Sequence, residues 1–415
     1  MKGALLAAVL CFACGGTSLD LGDAALSDAA IDTTIFDAGD ATTSDASPCG
    51  ANEVLCGTTC YPNDVNHCGP TCTTCGAPAL GQATCNGTTC GFTCTFLQCG
   101  STCVDPSADT HNCGSCAHDC LGQVCASSVC QPQELYTDSP ASAIVVDSTN
   151  LYWTVPDETV NDVWYGPKGG GTATRICSCA NVPALAIDAT NVYVLGGSDS
   201  ILYAPIGTTN ISGVNILPPG GTYDNDVFLV DSQNFYYAVG LYQTTLTAMA
   251  LDAGSGGVIS TEYRINWFGR QTGRTFVAWQ DNASLSHFGP VNVDGGADTY
   301  MTTDAGPIFS FGLDSNNAYL GAEYGLYQTP LDGGAATLLW TPVYGVSNVV
   351  TDGVSIYWLD GATVYQTPVG TTNRVPMTPT YTSGFISALA VDSTYIYFGL
   401  TTSSASTSGV YRTAK

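Results

Sequence analysis

The chain has 415 residues, enough for two or three domains, and only 11% of them are charged. Nine Lys and Arg stand against 35 Asp and Glu, a formal net charge of −26. Such a surface cannot neutralise phosphates and is repelled by anionic head groups, which excludes nucleic acid and electrostatic binding to a membrane surface.

At the start of the chain, Lys2 is followed by an apolar run from Ala4 to Ala13 and then by Cys14-Gly15-Gly16. The run is too short to span a bilayer and reads as the apolar part of a signal peptide over residues 1–13. Ala13-Cys14 resembles the cleavage site of a bacterial lipoprotein signal. In that family a small residue precedes the lipidated Cys, and Leu is favoured three positions before the bond, where this chain has Cys11. The resemblance implies diacylglycerol on Cys14, and Gly15 after it implies outer-membrane sorting, facing the periplasm or the cell surface. Residues 14–48 then form the anchor and a linker. The tract 15–48 holds Asp20, Asp23, Asp28, Asp32, Asp37, Asp40 and Asp45, and no basic residue. Like charges repel and little apolar surface can be buried, so a disordered, extended tether is expected.

Residues 49–130 hold sixteen of the 20 cysteines in two related units. The first unit carries Cys49, Cys56, Cys60, Cys68, Cys72, Cys75, Cys85 and Cys90. The second carries Cys94, Cys99, Cys103, Cys113, Cys116, Cys120, Cys125 and Cys130. Leu55-Cys-Gly-Thr-Thr-Cys60 matches Gln98-Cys-Gly-Ser-Thr-Cys103, and Asn66-His-Cys-Gly69 matches Asn112-Cys-Gly114. About 40 residues cannot build a sufficient core, so four bridges per unit are expected to replace it, which requires an oxidising compartment. Spacing does not reveal the connectivity. The run from Cys99 to Cys116 resembles the cysteine-rich modules of the stigma-specific protein family, which implies a secreted, disulfide-rich module and no particular activity. Zinc is the rival reading, because Cys72-Thr-Thr-Cys75 and Cys113-Gly-Ser-Cys116 have ligand spacing.

From residue 131 onward a repeat sets the fold class. An apolar run, an Asp, a turn and an apolar-Tyr run recur around Asp147, Asp188, Asp231, Asp314, Asp352 and Asp392. Asp suits the turn because its short side chain bonds nearby backbone, and the flanking residues favour strands. The Asp residues are 41, 43, 83, 38 and 40 positions apart. The double gap contains two Gly-rich second turns, at Asp252 and Asp294, and a degenerate copy from Phe268 to Trp279 with Gln271 near the Asp position. Seven units of about 40 residues predict an all-β, seven-bladed β-propeller over 131–415. The last unit lacks a strand, and Glu134–Thr137 is free to supply it. Tyr152-Trp153-Thr154 resembles the YWTD-type propeller of lipoprotein receptors, which implies a binding scaffold. That family has Asp where this chain has Val155, and six blades in place of seven.

Candidate sites are few. Of the histidines, His67, His111 and His118 lie in the cysteine-rich units, and only His287 lies in the propeller, on an expected strand. The repeated Asp residues read as turn formers and not as metal ligands. Cys177 and Cys179 share one face of an expected outer strand, as a bridge across a short span, as two thiols, or as a metal or redox pair. No catalytic, cofactor or metal site is therefore expected. The leading reading is a membrane-anchored binding module for an unknown protein or carbohydrate. The alternatives are a propeller hydrolase or lyase, as in lactonases that gather acidic, Asn or His metal ligands at the channel, and a structural envelope protein.

Overall fold

The computed structural model describes residues 49–415, apart from 157–160, 180–183, 197–199, 216–227, 232, 240–242, 251–256, 264, 272, 282, 284, 292–300, 304 and 404–406. The signal segment, Cys14 and the acidic tract lie outside the described residues, as do Asp252 and Asp294. Among those described there is no α-helix, and none long and apolar enough to cross a membrane.

Seven four-stranded antiparallel meanders form the propeller. Their innermost strands are Ala143–Val146, Ala184–Ile187, Phe228–Val230, Ile265–Gln271, Ile308–Leu313, Val346–Thr351 and Gly384–Val391, for blades 1 to 7 in turn. Each blade packs face to face on the next, so its middle strand is covered on both sides. That is why Leu151-Tyr-Trp-Thr154 and the whole of Ser355–Asp360 are buried, with no polar alternation. Seven apolar clusters follow, one at each blade-to-blade interface, including the one that joins blade 7 to blade 1 through Tyr136, Trp153 and Tyr397. Blade 7 takes its outer strand from the other end of the propeller sequence: Gln133–Thr137 pairs with Gly409–Ala414. The expected degenerate copy is blade 4, whose hairpin turns between Gln271 and Arg274.

All sixteen cysteines of residues 49–130 are bridged. The first unit pairs Cys49–Cys60, Cys56–Cys72, Cys68–Cys85 and Cys75–Cys90. The second pairs Cys94–Cys103, Cys99–Cys116, Cys113–Cys125 and Cys120–Cys130. Numbered in order, both units join first to third, second to fifth, fourth to seventh and sixth to eighth, and no bridge crosses between them. Gly69 and Gly114 explain the matching Cys-Gly steps. Both have positive φ, and a Cβ would meet the Thr88 carbonyl at one and the Ser128 carbonyl at the other. The zinc reading fails here. The sulfurs of Cys113, Cys120 and Cys130 lie within 4.8 Å of one another, but each is already in a disulfide. Bridges at this density place the chain in an oxidising, extracytoplasmic compartment.

The second unit also touches the propeller. The Gln123 side chain donates to the Arg412 carbonyl at 3.1 Å and accepts the Ala414 N–H at 3.1 Å, and the Cys130 carbonyl accepts the Thr413 hydroxyl. The carboxamide thus occupies the part of the edge of Gly409–Ala414 that Gln133–Thr137 leaves open.

Candidate functional site

In an up-and-down meander, the start of the innermost strand, the loop between second and third strands, and the link from the preceding blade share one end. The Asp turns lie at the opposite end. Strands of all seven blades line a central channel of about 730 Å³. Its polar lining is neutral: Ser142, Asn161, Ser310, Ser347, Asn348 and Ser387 contribute, and no Asp, Glu, Lys, Arg or His lines it among the described residues.

Around this mouth, on blades 5 to 7, stand Phe309, Tyr324, Tyr344 and Phe385, which are 44%, 55%, 81% and 58% exposed. They are the propeller's exposed aromatic side chains among the described residues. Phe309 also lines the channel. Backbone bonds fix their neighbourhood. Tyr324 N–H donates to the Ala305 carbonyl at 2.9 Å, which ties the loop of blade 5 to the start of that blade. The link into blade 6 is held by Asp360, a buried carboxylate that accepts the N–H of Val343 at 3.2 Å and of Tyr344 at 3.1 Å. A buried charge satisfied by two backbone donors holds an exposed loop in one shape, and Tyr344 is presented next to Gly361.

The Asp residues of the repeat lie at the opposite end. Asp147 Oδ1 accepts the N–H of Thr149 and of Asn150, and Oδ2 accepts the Tyr152 hydroxyl at 3.0 Å. The same tyrosine bond occurs at Asp188, Asp231, Asp314, Asp352 and Asp392, always to the residue five positions on. Reading Asp as a turn former missed this bond. Its signal was the constant spacing: where Asp gives way to Gln271, the partner position holds Phe276, which has no hydroxyl. A second cavity, of about 660 Å³ and lined by Asp188 and Asp231, lies at this end, but both carboxylates are engaged by their own turns.

His287 lies on strand Ser286–Pro290 of blade 4. One ring nitrogen meets Asp281 Oδ2 at 3.0 Å and the other the Thr302 hydroxyl at 3.0 Å, and the ring stacks on Trp279. The order Thr-His-Asp has the sequence of a nucleophile relay. Two N–H groups nearby, of Ala283 and Leu285, are spent on Asp281 and cannot serve an oxyanion. Cys177 and Cys179 form a bridge on the outer strand of blade 1, with Cα atoms 5.6 Å apart and a bulge just before them.

No protein-family model matches the chain, and no curated protein matches it. Solved propellers share the fold. YCF48 bound to D1 peptide has a TM-score of 0.53 at 9% identity, covering 68% of this chain and 94% of that one. The WD40 propeller of Doa1 has a TM-score of 0.51 at 9% identity, covering 68% and 96%. The extracellular domain of BT4673 from B. thetaiotaomicron has a TM-score of 0.52 at 12% identity, covering 68% of this chain and 39% of that longer one. At such identities the likeness is one of fold.

Proposed function

We propose that the protein is a lipid-anchored, extracytoplasmic binding module that takes its ligand at the channel mouth over blades 5 to 7. The observation that carries this reading is the pairing of a channel lining that holds no charged side chain among the described residues with a collar of exposed aromatics, two at the starts of inner strands and two on loops held by backbone bonds. Metal-assisted hydrolysis needs carboxylate or imidazole ligands converging on a reacting atom, and among the described residues the lining offers hydroxyls and amides. Recognition needs only shape, apolar faces and a few oriented polar groups, all of which the mouth has. The YCF48 propeller, solved with a peptide bound, is an instance of recognition by this fold. The acidic tract after Cys14 serves as the tether that lifts the stapled region and propeller off the bilayer, and the net charge of −26 keeps them from collapsing onto anionic head groups.

Binding of the unanchored Cys14→Ser chain, fluorescently labelled, to isolated envelopes of the native cell tests the reading. Saturable binding that weakens about tenfold or more in Phe309→Ala and Tyr344→Ala is expected, since each removes an exposed aromatic anchor worth a hot-spot loss. Binding that is absent, or indifferent to both substitutions, would leave a structural envelope role as the better account. The same Cys14→Ser change should move the protein from the membrane to the soluble fraction. An unacylated mature N-terminus in the wild type would remove the anchor.

A further inference from the structure

The propeller sequence has only two cysteines, Cys177 and Cys179, both in blade 1. Their bridge differs in kind from the eight of residues 49–130. Those join cysteines 9 to 17 positions apart and hold together units too small to have a core. The bridge in blade 1 joins cysteines two positions apart. A loop that short removes little freedom from the unfolded chain, so by loop length this bridge contributes the least of the nine to stability. Nor does the folded strand depend on it. Cys177 pairs with Val163 and Cys179 with Asn161 in the ladder. From the same strand, Ser178 Oγ and the Arg175 guanidinium both donate to Asp162 on the neighbouring one.

The surroundings suit opening and closing. Two steps along an extended strand span about 6.6 Å. The Cα atoms of Cys177 and Cys179 stand 5.6 Å apart, on a strand that bulges at Ile176 just before them. Closing the ring draws the strand in, and opening it lets the strand extend again. Cys179 is buried in the cluster between blades 1 and 2, whereas Cys177 is half-buried against it on the outermost strand of the blade. A neutral thiol at Cys179 fits beside Val163, Ile176 and Leu185 as well as a disulfide sulfur does, because a free cysteine behaves as a small hydrophobe. Both redox states are therefore compatible with one fold. Opening the bridges of either cysteine-rich unit instead removes what holds that unit together.

We propose that Cys177 and Cys179 form a thiol–disulfide exchange site that oxidises paired cysteine thiols on other exported polypeptides. Accessible bridges on drawn-in backbone are the ones that exchange, while structural bridges resist reduction. A substrate thiolate attacks Cys177 Sγ, the more accessible sulfur. The new bond forms as the Cys177–Cys179 bond breaks, and Cys179 leaves as a thiolate and takes up a proton. The second substrate thiolate then attacks the substrate sulfur of the mixed disulfide and expels Cys177, which is protonated in turn. Two electrons and two protons pass from the substrate dithiol to the pair, and the substrate departs with one disulfide.

The test equilibrates the full chain carrying Cys14→Ser in glutathione buffers of graded ratio, quenches it with acid, alkylates it and reads each cysteine by peptide mass spectrometry. Cys177 and Cys179 should be alkylated together. The ratio of squared reduced to oxidised glutathione that opens them should be at least about a hundredfold below the one that opens the first of the other eight bridges. A reduced two-cysteine peptide, added at one equivalent, should become oxidised, with new thiols at Cys177 and Cys179 and at no other bridge. Cys179→Ser, which leaves Cys177 as a free thiol, should capture oxidised glutathione as a mixed disulfide on Cys177. The double variant Cys177→Ala, Cys179→Ala should leave the peptide reduced and keep the parent melting temperature. A pair that opens only with or after the other bridges, or a peptide that stays reduced, would overturn the exchange. Oxidation undiminished in the double variant would overturn the assignment to this pair. A double variant that melts far lower would make the bridge a structural staple and overturn the proposal as well.

Discussion

Asp147 and its counterparts each satisfy two backbone donors and one tyrosine hydroxyl, and some reach further. Asp392 Oδ2 meets Lys168 Nζ at 2.6 Å, Asp352 Oδ2 meets Lys415 Nζ at 2.7 Å, and Asp231 Oδ2 meets Arg270 Nε at 3.3 Å, each cation coming from the following blade. Burial works against ionisation at Asp147, Asp188, Asp231, Asp352 and Asp392. The donated hydrogen bonds, with the cations at the last three, outweigh it, and all five carboxyls titrate below the ordinary value of 3.8. Tyrosines on the other end of these bonds move the opposite way: burial first, then the adjacent carboxylate, pushes Tyr193 up to about 12 from 10.0. The signs fix a profile. A lowered carboxyl contributes stability that is complete above 3.8 and is lost as pH falls through the lower folded value. A raised phenol contributes stability that is complete below 10.0 and is lost as pH rises through the higher one. The melting temperature should therefore be level from about pH 5 to about pH 9 and drop at both ends. A chain that melts at the same temperature at pH 3 and pH 7 would show that the turn carboxylates are not worth their pairing.

Strand by strand, the sequence announces what repeats and hides what interrupts. The hairpins, the seventh copy behind the 83-residue gap and the closing strand at Glu134–Thr137 were legible, because turn chemistry and apolar runs recur at a fixed interval. The bulges were not. Phe309 between Ile308 and Ser310 reads as one more strand residue, and only the pairing of its neighbours with Ala322 and Gly321 shows that it has no partner. The mouth was hidden for the same reason. Connectivity of the bridges was equally silent, although two units with one arrangement of eight cysteines would be expected to share one pairing. Nor does anything mark Gln123, in a loop of the second unit, as the residue that pairs with the C-terminal edge. Gln123→Ala removes both of its bonds to Arg412 and Ala414 and leaves those backbone groups to water. A loss of about 1 to 2 kcal/mol is expected in urea unfolding, at the scale of two part-buried hydrogen bonds. A loss below a few tenths would mean that the cysteine-rich unit only rests against the propeller.

At the scale of the whole molecule, the ring is closed by strands from both ends of the propeller sequence, and that closure should decide how the chain tolerates shortening. Tyr136, on the closing strand, is buried in the cluster between blades 7 and 1. It stacks on Trp153 with ring centroids 4.5 Å apart, and its hydroxyl donates to the Pro167 carbonyl at 2.6 Å. Arg412 adds bonds to Gln133 and to the Lys168 carbonyl, so the last strand, the first strand and blade 1 form one junction. A chain of residues 131–415 keeps all of this and loses only the contacts of the cysteine-rich unit, chiefly those of Gln123 and Cys130. It should fold, with a loss near that of Gln123→Ala. A chain of residues 141–415 lacks Gln133–Thr137. It exposes the edge of Gly409–Ala414 and empties the place of Tyr136, which by the scale of large aromatic deletions costs about 3 to 5 kcal/mol before the lost ladder is counted. It should melt far lower or aggregate. Gly166→Ala probes the same junction in the full chain, because a Cβ there would meet the Tyr136 ring and hydroxyl. It should shift the melting temperature in the same direction as the longer truncation. Equal stability of the two shortened chains would mean that blade 7 holds with three strands, and that the ring is closed by side-chain packing between its faces and not by the strand that joins its ends.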